Sequence, residues 1–241
     1  MIPLHDDNPT RRFPVVTVGL IALNVVVFVF QLTLPRYGLS LEGFFLRAGL
    51  VPYELANRVD VPPDGLVPVW ATVFTAMFIH GGWLHIIFNL LYLWIFGNNV
   101  EDRMGRVRFV AFYLLCGLAA AAAQVVAQPD SLVPMIGASG AISGVLGAYI
   151  LLFPGARVLT VITLVVFFPV VMVPAWVLLL AWFALNLLQA ATTIGAETGV
   201  AYFAHVGGFA AGLVLVWVFA RDRKSGGEGN GVELGGWSDI E

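Results

Sequence analysis

A serine and a histidine within apolar stretches are the residues whose types and spacing could carry covalent chemistry in this chain. Ser139 opens a segment in which glycines, beginning with Gly140, recur at helical spacing, so one helix face is almost bare of side chains. His205 precedes Gly208 and Gly212 on one face of a later apolar segment. Pressing the two glycine faces together would bring the imidazole within hydrogen-bond reach of the Ser139 hydroxyl, as a serine nucleophile and its general base require.

A second pair of polar side chains could stabilise the oxyanion that such a reaction forms. His85 and Asn89 are one helical turn apart in another apolar segment, so both project from the same face. Imidazole and carboxamide N–H groups aimed at one point are donors for a developing negative charge. The backbone N–H of Ser139, near a helix N-terminus, is a further candidate. Asn89 could equally tie neighbouring helices together.

The other polar residues narrow the possible chemistry. None of the 15 Asp and Glu residues falls within an apolar segment, so the sequence predicts a Ser–His dyad and not a triad with a carboxylate. The histidines lack the cysteine or second carboxylate that a metal site would need, so we expect no metal. A proton relay in a transporter or channel is an alternative use of intramembrane histidines, but it would call for carboxylates in the spans.

The composition is that of a polytopic membrane protein. Of the 241 residues, 59% are hydrophobic and 11% are charged, and the mean hydropathy is +0.89. A soluble domain is charged at about a quarter of its positions. The net charge of -3 gives no reason to expect nucleic acid as a partner. A single cysteine, Cys116, cannot form an internal disulfide.

Six apolar segments predict an all-α bundle of six transmembrane helices. They cover residues 15–34, 83–97, 107–127, 138–153, 171–190 and 200–220. The fourth is short, so either its start lies below the membrane surface or the bilayer is thin there. Pro169 and Pro174 are expected to separate an interfacial piece from the fifth span. Residues 35–79 mix charges with aromatic side chains, which predicts a long first outer loop lying in the membrane interface.

The distribution of basic residues predicts the orientation. Six spans place both termini on one side of the membrane, and nine of the 12 Lys and Arg residues are on that side. Because basic residues favour the cytoplasmic side, we expect this side to be the cytoplasmic side of a cell membrane. Ser139 then opens toward the extracytoplasmic half. The expected organisation is a short cytoplasmic arm (1–14), a six-span domain (15–220) and a Gly-rich, disordered cytoplasmic tail (221–241).

Four short motifs follow one another along the predicted spans. They are HGGWLHIIFN at 80–89, GNNVEDRMG at 97–105, GASG at 137–140 and AHVGG at 204–208. In these motifs, and over about residues 15–220, the chain resembles the rhomboid family of intramembrane serine proteases. The resemblance implies a rhomboid-like bundle of six transmembrane helices.

The resemblance also implies a role for each polar residue. Ser139 would be the nucleophile and His205 the general base. His85 and Asn89 would help to hold the oxyanion, and His80 would be a structural histidine of the first outer loop.

Four glycines, at 137, 140, 208 and 212, would serve packing near the site. They are Gly137 and Gly140 beside the serine, and Gly208 and Gly212, which resemble the family's close contact between the sixth and fourth spans.

A substrate class follows from the resemblance as well. Such proteases cut transmembrane segments of membrane proteins near the membrane boundary, pass through an acyl-enzyme and need no cofactor, so the expected partners are membrane proteins and the lipid bilayer. A proteolytically inactive relative that binds membrane helices is the alternative. Two positions depart from the family: Ala71 follows Trp70 where an arginine is frequent, and Ser143 replaces a tyrosine that in some members packs on the histidine. His205 is therefore expected to be held differently.

Overall fold

The computed structural model describes residues 1–62, 64–163, 167–193 and 199–220, and these residues are mostly helical. Short 3-10 turns and a π-helical turn at Leu93–Gly97 join some of the helices. In chain order the strands and α-helices of this part of the chain are β1 (Ile2–Asp6), α1 (Val15–Thr33), α2 (Leu41–Ala48), α3 (Pro52–Asn57), α4 (Thr72–Thr75), α5 (Trp83–Tyr92), α6 (Asn98–Met104), α7 (Arg106–Ala127), α8 (Ser139–Leu152), β2 (Arg157–Val161), β3 (Val170–Pro174), α9 (Ala175–Thr192) and α10 (Tyr202–Phe219).

The helices form the membrane bundle that the hydropathy predicted. Within the described ranges, α1, α7, α9 and α10 are long and apolar enough to cross a bilayer. A fifth span results if the helical stretches Val69–Phe78 and Trp83–Met104, which meet at 81°, count as one broken span. The helix α8 is apolar but has only 14 residues. The helical membrane bundle is confirmed, whereas the count of six spans stays a prediction.

The centre of the bundle is α8, which packs against α7 and α10. Its contact with α10 is made backbone to backbone. A Cβ on Gly208 would overlap the carbonyl oxygen of Gly140, and a Cβ on Gly212 would overlap that of Gly144. The two glycine faces therefore press together as their spacing predicted, and the beginnings of α8 and α10 come close to each other.

A three-stranded antiparallel sheet lies at the end of the bundle opposite Ser139, and the sequence pattern did not predict it. The strand order is β1-β2-β3, with Ile2 opposite Val161 and Arg157 opposite Pro174. The described part of the interfacial piece before α9 thus consists of the paired strands β2 and β3, and α9 begins directly after Pro174, as the prolines indicated. We call this end the sheet face and the other end the Ser139 face.

Buried polar side chains attach the N-terminal strand to the bundle. The carboxylate of Asp6 accepts hydrogen bonds from the Tyr149 hydroxyl (2.6 Å) and from Asn99 Nδ2 (2.7 Å). Glu101 accepts hydrogen bonds from the Thr17 backbone N–H (2.7 Å) and hydroxyl (2.8 Å) at the start of α1. Burial raises the pKa of Asp6, although the hydrogen bond from Tyr149 opposes this effect.

The segment 35–79 holds the short helices α2, α3 and α4, in keeping with an interfacial loop. It also supports the chain that leads into α8. Leu50 and Met135 exchange two backbone hydrogen bonds (3.0 and 2.7 Å), and the N–H of Gly137 donates to the carbonyl oxygen of Ala76 (2.8 Å). The loop before Ser139 is therefore fixed from the outer-loop side.

Candidate active site

Ser139 and His205 meet at the Ser139 face of the bundle. Ser139 is the first residue of α8, and His205 lies in the first turn of α10. The Ser139 Oγ is 2.8 Å from His205 Nε2. The close glycine contact between α8 and α10 sets this distance, because a side chain at Gly208, less than one turn after His205, would hold the two helices apart.

The second ring nitrogen of His205 has a partner on α9. His205 Nδ1 lies 2.6 Å from the side-chain oxygen of Asn186, and Asn186 Nδ2 donates to the carbonyl oxygen of Trp182 (2.9 Å). The Trp182 ring packs beside the imidazole, with ring centroids 5.7 Å apart. Ser143 is fully buried, and its hydroxyl donates to the carbonyl oxygen of Ser139 (2.6 Å). The imidazole is thus contacted from α9 by Asn186 and Trp182 and from α10 by the Tyr202 ring (centroids 6.4 Å apart), whereas residue 143 hydrogen-bonds within α8.

Gly137 creates the space in which His85 approaches the serine. A Cβ on Gly137 would lie 2.6 Å from His85 Nε2 and 3.6 Å from Ser139 Oγ. The backbone of Gly137 has φ +116°, a conformation that residues with a side chain rarely adopt. His85 Nδ1 accepts a hydrogen bond from the Gly81 backbone N–H (3.2 Å). The neutral ring therefore carries its hydrogen on Nε2, the nitrogen that faces Gly137.

Asn89 and His80 are both buried next to His85. Asn89 Nδ2 donates to the carbonyl oxygen of His85 (2.8 Å), which uses one of its two amide hydrogens. The His80 ring contacts the His85 ring edge to face, with centroids 5.1 Å apart. The side-chain amide of Gln31 binds both the backbone N–H (3.1 Å) and the carbonyl oxygen (2.8 Å) of His80. His80 is therefore placed to support His85.

A cavity of about 810 Å³ lies between these side chains. Residues from α5, α7, α8, α9 and α10 contribute to its walls, together with the loop that precedes α8. Most of the lining is apolar, and the polar side chains of His85, Asn89, Ser139 and His205 all border the same space. An apolar cavity with a few converging polar groups is the usual form of a binding site.

Two amide side chains belong to this arrangement although the sequence analysis did not single them out. Asn186 lies in the apolar run of α9, and Gln31 lies in that of α1. A buried amide in a membrane span is costly unless it is paired, which is the same signal that identified the histidines. Applied to amides as well, it would have marked both residues.

The fold and the site together define a helical membrane protein with a Ser–His pair at the wall of a cavity at one end of the bundle. A family model, described as the Rhomboid domain, matches residues 68–222. The chain belongs to the rhomboid family, and with its membrane-spanning helices it is a multi-pass membrane protein.

Several curated proteins are similar to the chain. Rhomboid protein 1, mitochondrial, of Saccharomyces cerevisiae is 31% identical over 156 residues, which are 62% of this chain and 42% of that protein. Rhomboid-like protein 11, chloroplastic, of Arabidopsis thaliana is 31% identical over 208 residues, or 80% of this chain and 65% of that protein. Rhomboid protease GluP of Bacillus subtilis is 42% identical over 79 residues, or 33% of this chain and 15% of that protein. The chain thus spans less than two thirds of the length of each.

Proposed function

We propose that the chain is an intramembrane serine endopeptidase that uses Ser139 and His205 as a catalytic dyad. The observation that carries the proposal is the 2.8 Å distance between Ser139 Oγ and His205 Nε2 at the wall of the cavity. A serine hydroxyl is a weak nucleophile by itself and needs a base within hydrogen-bond reach. The similarity to proteins named rhomboid proteases supports the same function.

The reaction begins when Ser139 Oγ attacks a peptide carbonyl of the substrate. His205 Nε2 accepts the hydroxyl proton and then gives it to the leaving amine, so that the C–N bond breaks and an acyl-enzyme remains. A water molecule attacks the ester while His205 takes one of its protons. The proton returns to Ser139 Oγ as the acid product leaves.

The oxyanion of each tetrahedral intermediate needs hydrogen-bond donors close to Ser139. Backbone N–H groups in the first turn of an α-helix have no partner within the helix, and because Ser139 is the first residue of α8, those of α8 are candidate donors. His85 carries its hydrogen on Nε2, the nitrogen that faces Gly137, two residues before Ser139. The free amide hydrogen of Asn89 is a further donor at the cavity wall.

The substrates in this proposal are transmembrane segments of other membrane proteins. The Ser–His pair lies at one end of the bundle, where a peptide bond near the membrane boundary and the water needed for hydrolysis can both reach it. We assign the sheet face to the cytoplasmic side of a cell membrane, with β1 and the end of α10 on that side, because Arg157 and the Arg103–Arg108 turn lie there. The predicted cytoplasmic tail (221–241) lies outside the described residues.

A proteolytically inactive member that only binds membrane helices is the alternative. Such a protein does not need a serine hydroxyl in contact with an imidazole. The geometry at Ser139 and His205 therefore favours the protease.

The proposal is tested with the purified protein in liposomes and a model single-span substrate. We expect Ser139→Ala and His205→Ala to abolish cleavage. Ser143→Ala is the matched control, because it removes a hydroxyl one turn along the same helix without touching His205, and it should retain most of the activity. A fluorophosphonate probe should label the unaltered chain but not Ser139→Ala.

Two results would contradict the proposal. Cleavage that survives Ser139→Ala would mean a different nucleophile. An unaltered chain that neither cleaves the substrate nor reacts with the fluorophosphonate would indicate the inactive, helix-binding alternative.

A further inference from the structure

The contact between Asn186 and His205 decides which ring nitrogen of the histidine carries the hydrogen. Asn186 Nδ2 donates to the Trp182 carbonyl oxygen one turn earlier, so its oxygen is the atom that faces His205 Nδ1 at 2.6 Å. A carboxamide oxygen can only accept a hydrogen bond. The neutral imidazole must therefore carry its hydrogen on Nδ1, which leaves the lone pair of Nε2 directed at Ser139.

Burial makes this contact specific. Asn186 is only 7% exposed, and leaving an amide oxygen unpaired at such a buried position is costly. A 180° rotation of the Asn186 carboxamide would place its NH2 group against His205 Nδ1 and its oxygen against the carbonyl oxygen of Trp182, so that two acceptors would face each other. Of the two tautomers, only the Nδ1–H form satisfies all three groups.

We propose that Asn186 is a positioning residue that keeps His205 in the tautomer able to act as a base. The role is that of the third group in a hydrolytic triad, filled by an uncharged amide on α9. When His205 becomes an imidazolium, the Nδ1–H remains hydrogen-bonded to the amide oxygen and stabilises the charge. The kinetic consequence rests on the proposed function, whereas the tautomer does not.

The kinetic test compares Asn186→Leu with Asn186→Asp. Leucine keeps the branch at Cγ, although it is larger, and it has no acceptor, so we expect kcat to fall about 10- to 100-fold while KM changes by less than about threefold. Aspartate keeps an oxygen in the same position and should be the more active of the two variants. If Asn186 only fills space, the order reverses, because leucine is tolerated in a membrane core and a carboxylate is not.

Asn24→Leu is the matched control. Asn24 is a fully buried asparagine on α1, and its Nδ2 also donates to the carbonyl oxygen four residues earlier, in Leu20 (2.7 Å). Its Oδ1 has no hydrogen-bond partner in the described part of the chain. We expect cleavage within about twofold of the unaltered chain. A loss equal to that of Asn186→Leu would assign the effect to the general packing of amides.

A spectroscopic test separates this inference from the proposed function. In the Ser139→Ala background, histidines are labelled with ¹⁵N, and the signal of His205 is identified by its loss in Ser139→Ala/His205→Ala. We expect the Nδ1–H tautomer, and a shift toward Nε2–H when Asn186→Leu is added. The same tautomer with and without Asn186 would overturn the inference, even if the unaltered chain proves to be an active protease. If the chain has no activity, the proposed function fails, and the NMR result alone decides on Asn186.

Discussion

Gly208→Ala should weaken the contact that brings the serine and the histidine together. The new methyl group would overlap the carbonyl oxygen of Gly140, and the Cβ of Ala120 lies only 3.4 Å away on the other side. The obstacle is therefore backbone on α8 and helix α7 behind it, so no flexible side chain can move aside. We expect α10 to retreat from α8 by roughly 1 Å to restore ordinary contact distances.

The expected loss of stability in Gly208→Ala can be worked out by comparison with Gly19→Ala. Gly19 lies within α1, and a Cβ there would meet nothing within 4 Å. Both substitutions gain the helix propensity of alanine, about 1 kcal/mol. The difference between the unfolding free energies of the two variants therefore measures the cost of the overlap at residue 208. Overpacking a core typically costs about 1–3 kcal/mol. A shift of 1 Å would also stretch the contact between Ser139 and His205 beyond hydrogen-bond range, a misplacement that can cost about 100-fold in rate.

The assay is reversible unfolding in mixed micelles with increasing SDS, followed by tryptophan fluorescence, together with the cleavage rate under conditions where both variants are folded. Gly208→Ala should unfold at a lower SDS fraction than Gly19→Ala and should cleave more slowly. Equal stability and equal rates in the two variants would refute the view that this glycine contact sets the geometry of the site.

Two further predictions concern the His85 side of the cavity and the sheet. Gly137→Ala should lower the cleavage rate at least about tenfold, because the Cβ would lie 2.6 Å from His85 Nε2 at a residue with φ +116°. Gly155→Ala is the control, since a Cβ there meets nothing within 4 Å, and equal cleavage rates in the two variants would contradict the prediction. Because burial raises the pKa of Asp6, the folded chain holds that proton to higher pH than the unfolded chain, so the attachment of β1 should weaken as pH rises through the folded-state pKa. The protection of the β1 amides against hydrogen exchange, corrected for intrinsic rates, should therefore fall as pH rises. In Asp6→Asn this protection should no longer depend on pH.

The pairing of Ser139 with His205 could be predicted from the sequence because it depends on a regular feature. The glycines of α8 and α10 recur at helical spacing, so each polar residue could be assigned to a face before the structure was known. Both faces consist of small residues, which leaves few alternative ways to pack them. The membrane bundle was predictable for a similar reason, since hydropathy is a property of each segment alone.

The sheet and the role of Asn186 could not be predicted in this way. The strand β1 pairs with β2 across about 150 residues, and neither strand has a distinctive pattern by itself. The partner of Asn186 depends on the rotation of α9 against α10, and the apolar sequence of α9 specifies that rotation only weakly. The all-helical prediction therefore missed the three-stranded sheet, and the predicted Ser–His dyad did not include Asn186.

His85 and His205 have the same side chain but carry the ring hydrogen on different nitrogens, because different groups face their Nδ1 atoms. The backbone N–H of Gly81 points at His85 Nδ1, which makes His85 a hydrogen-bond donor at Nε2. The amide oxygen of Asn186 faces His205 Nδ1, which makes His205 an acceptor at Nε2. The imidazole in contact with Ser139 Oγ thus presents a lone pair, whereas the imidazole that faces Gly137 presents an N–H. The motif supplies the imidazoles, but the atom opposite each Nδ1 decides which one can be the base.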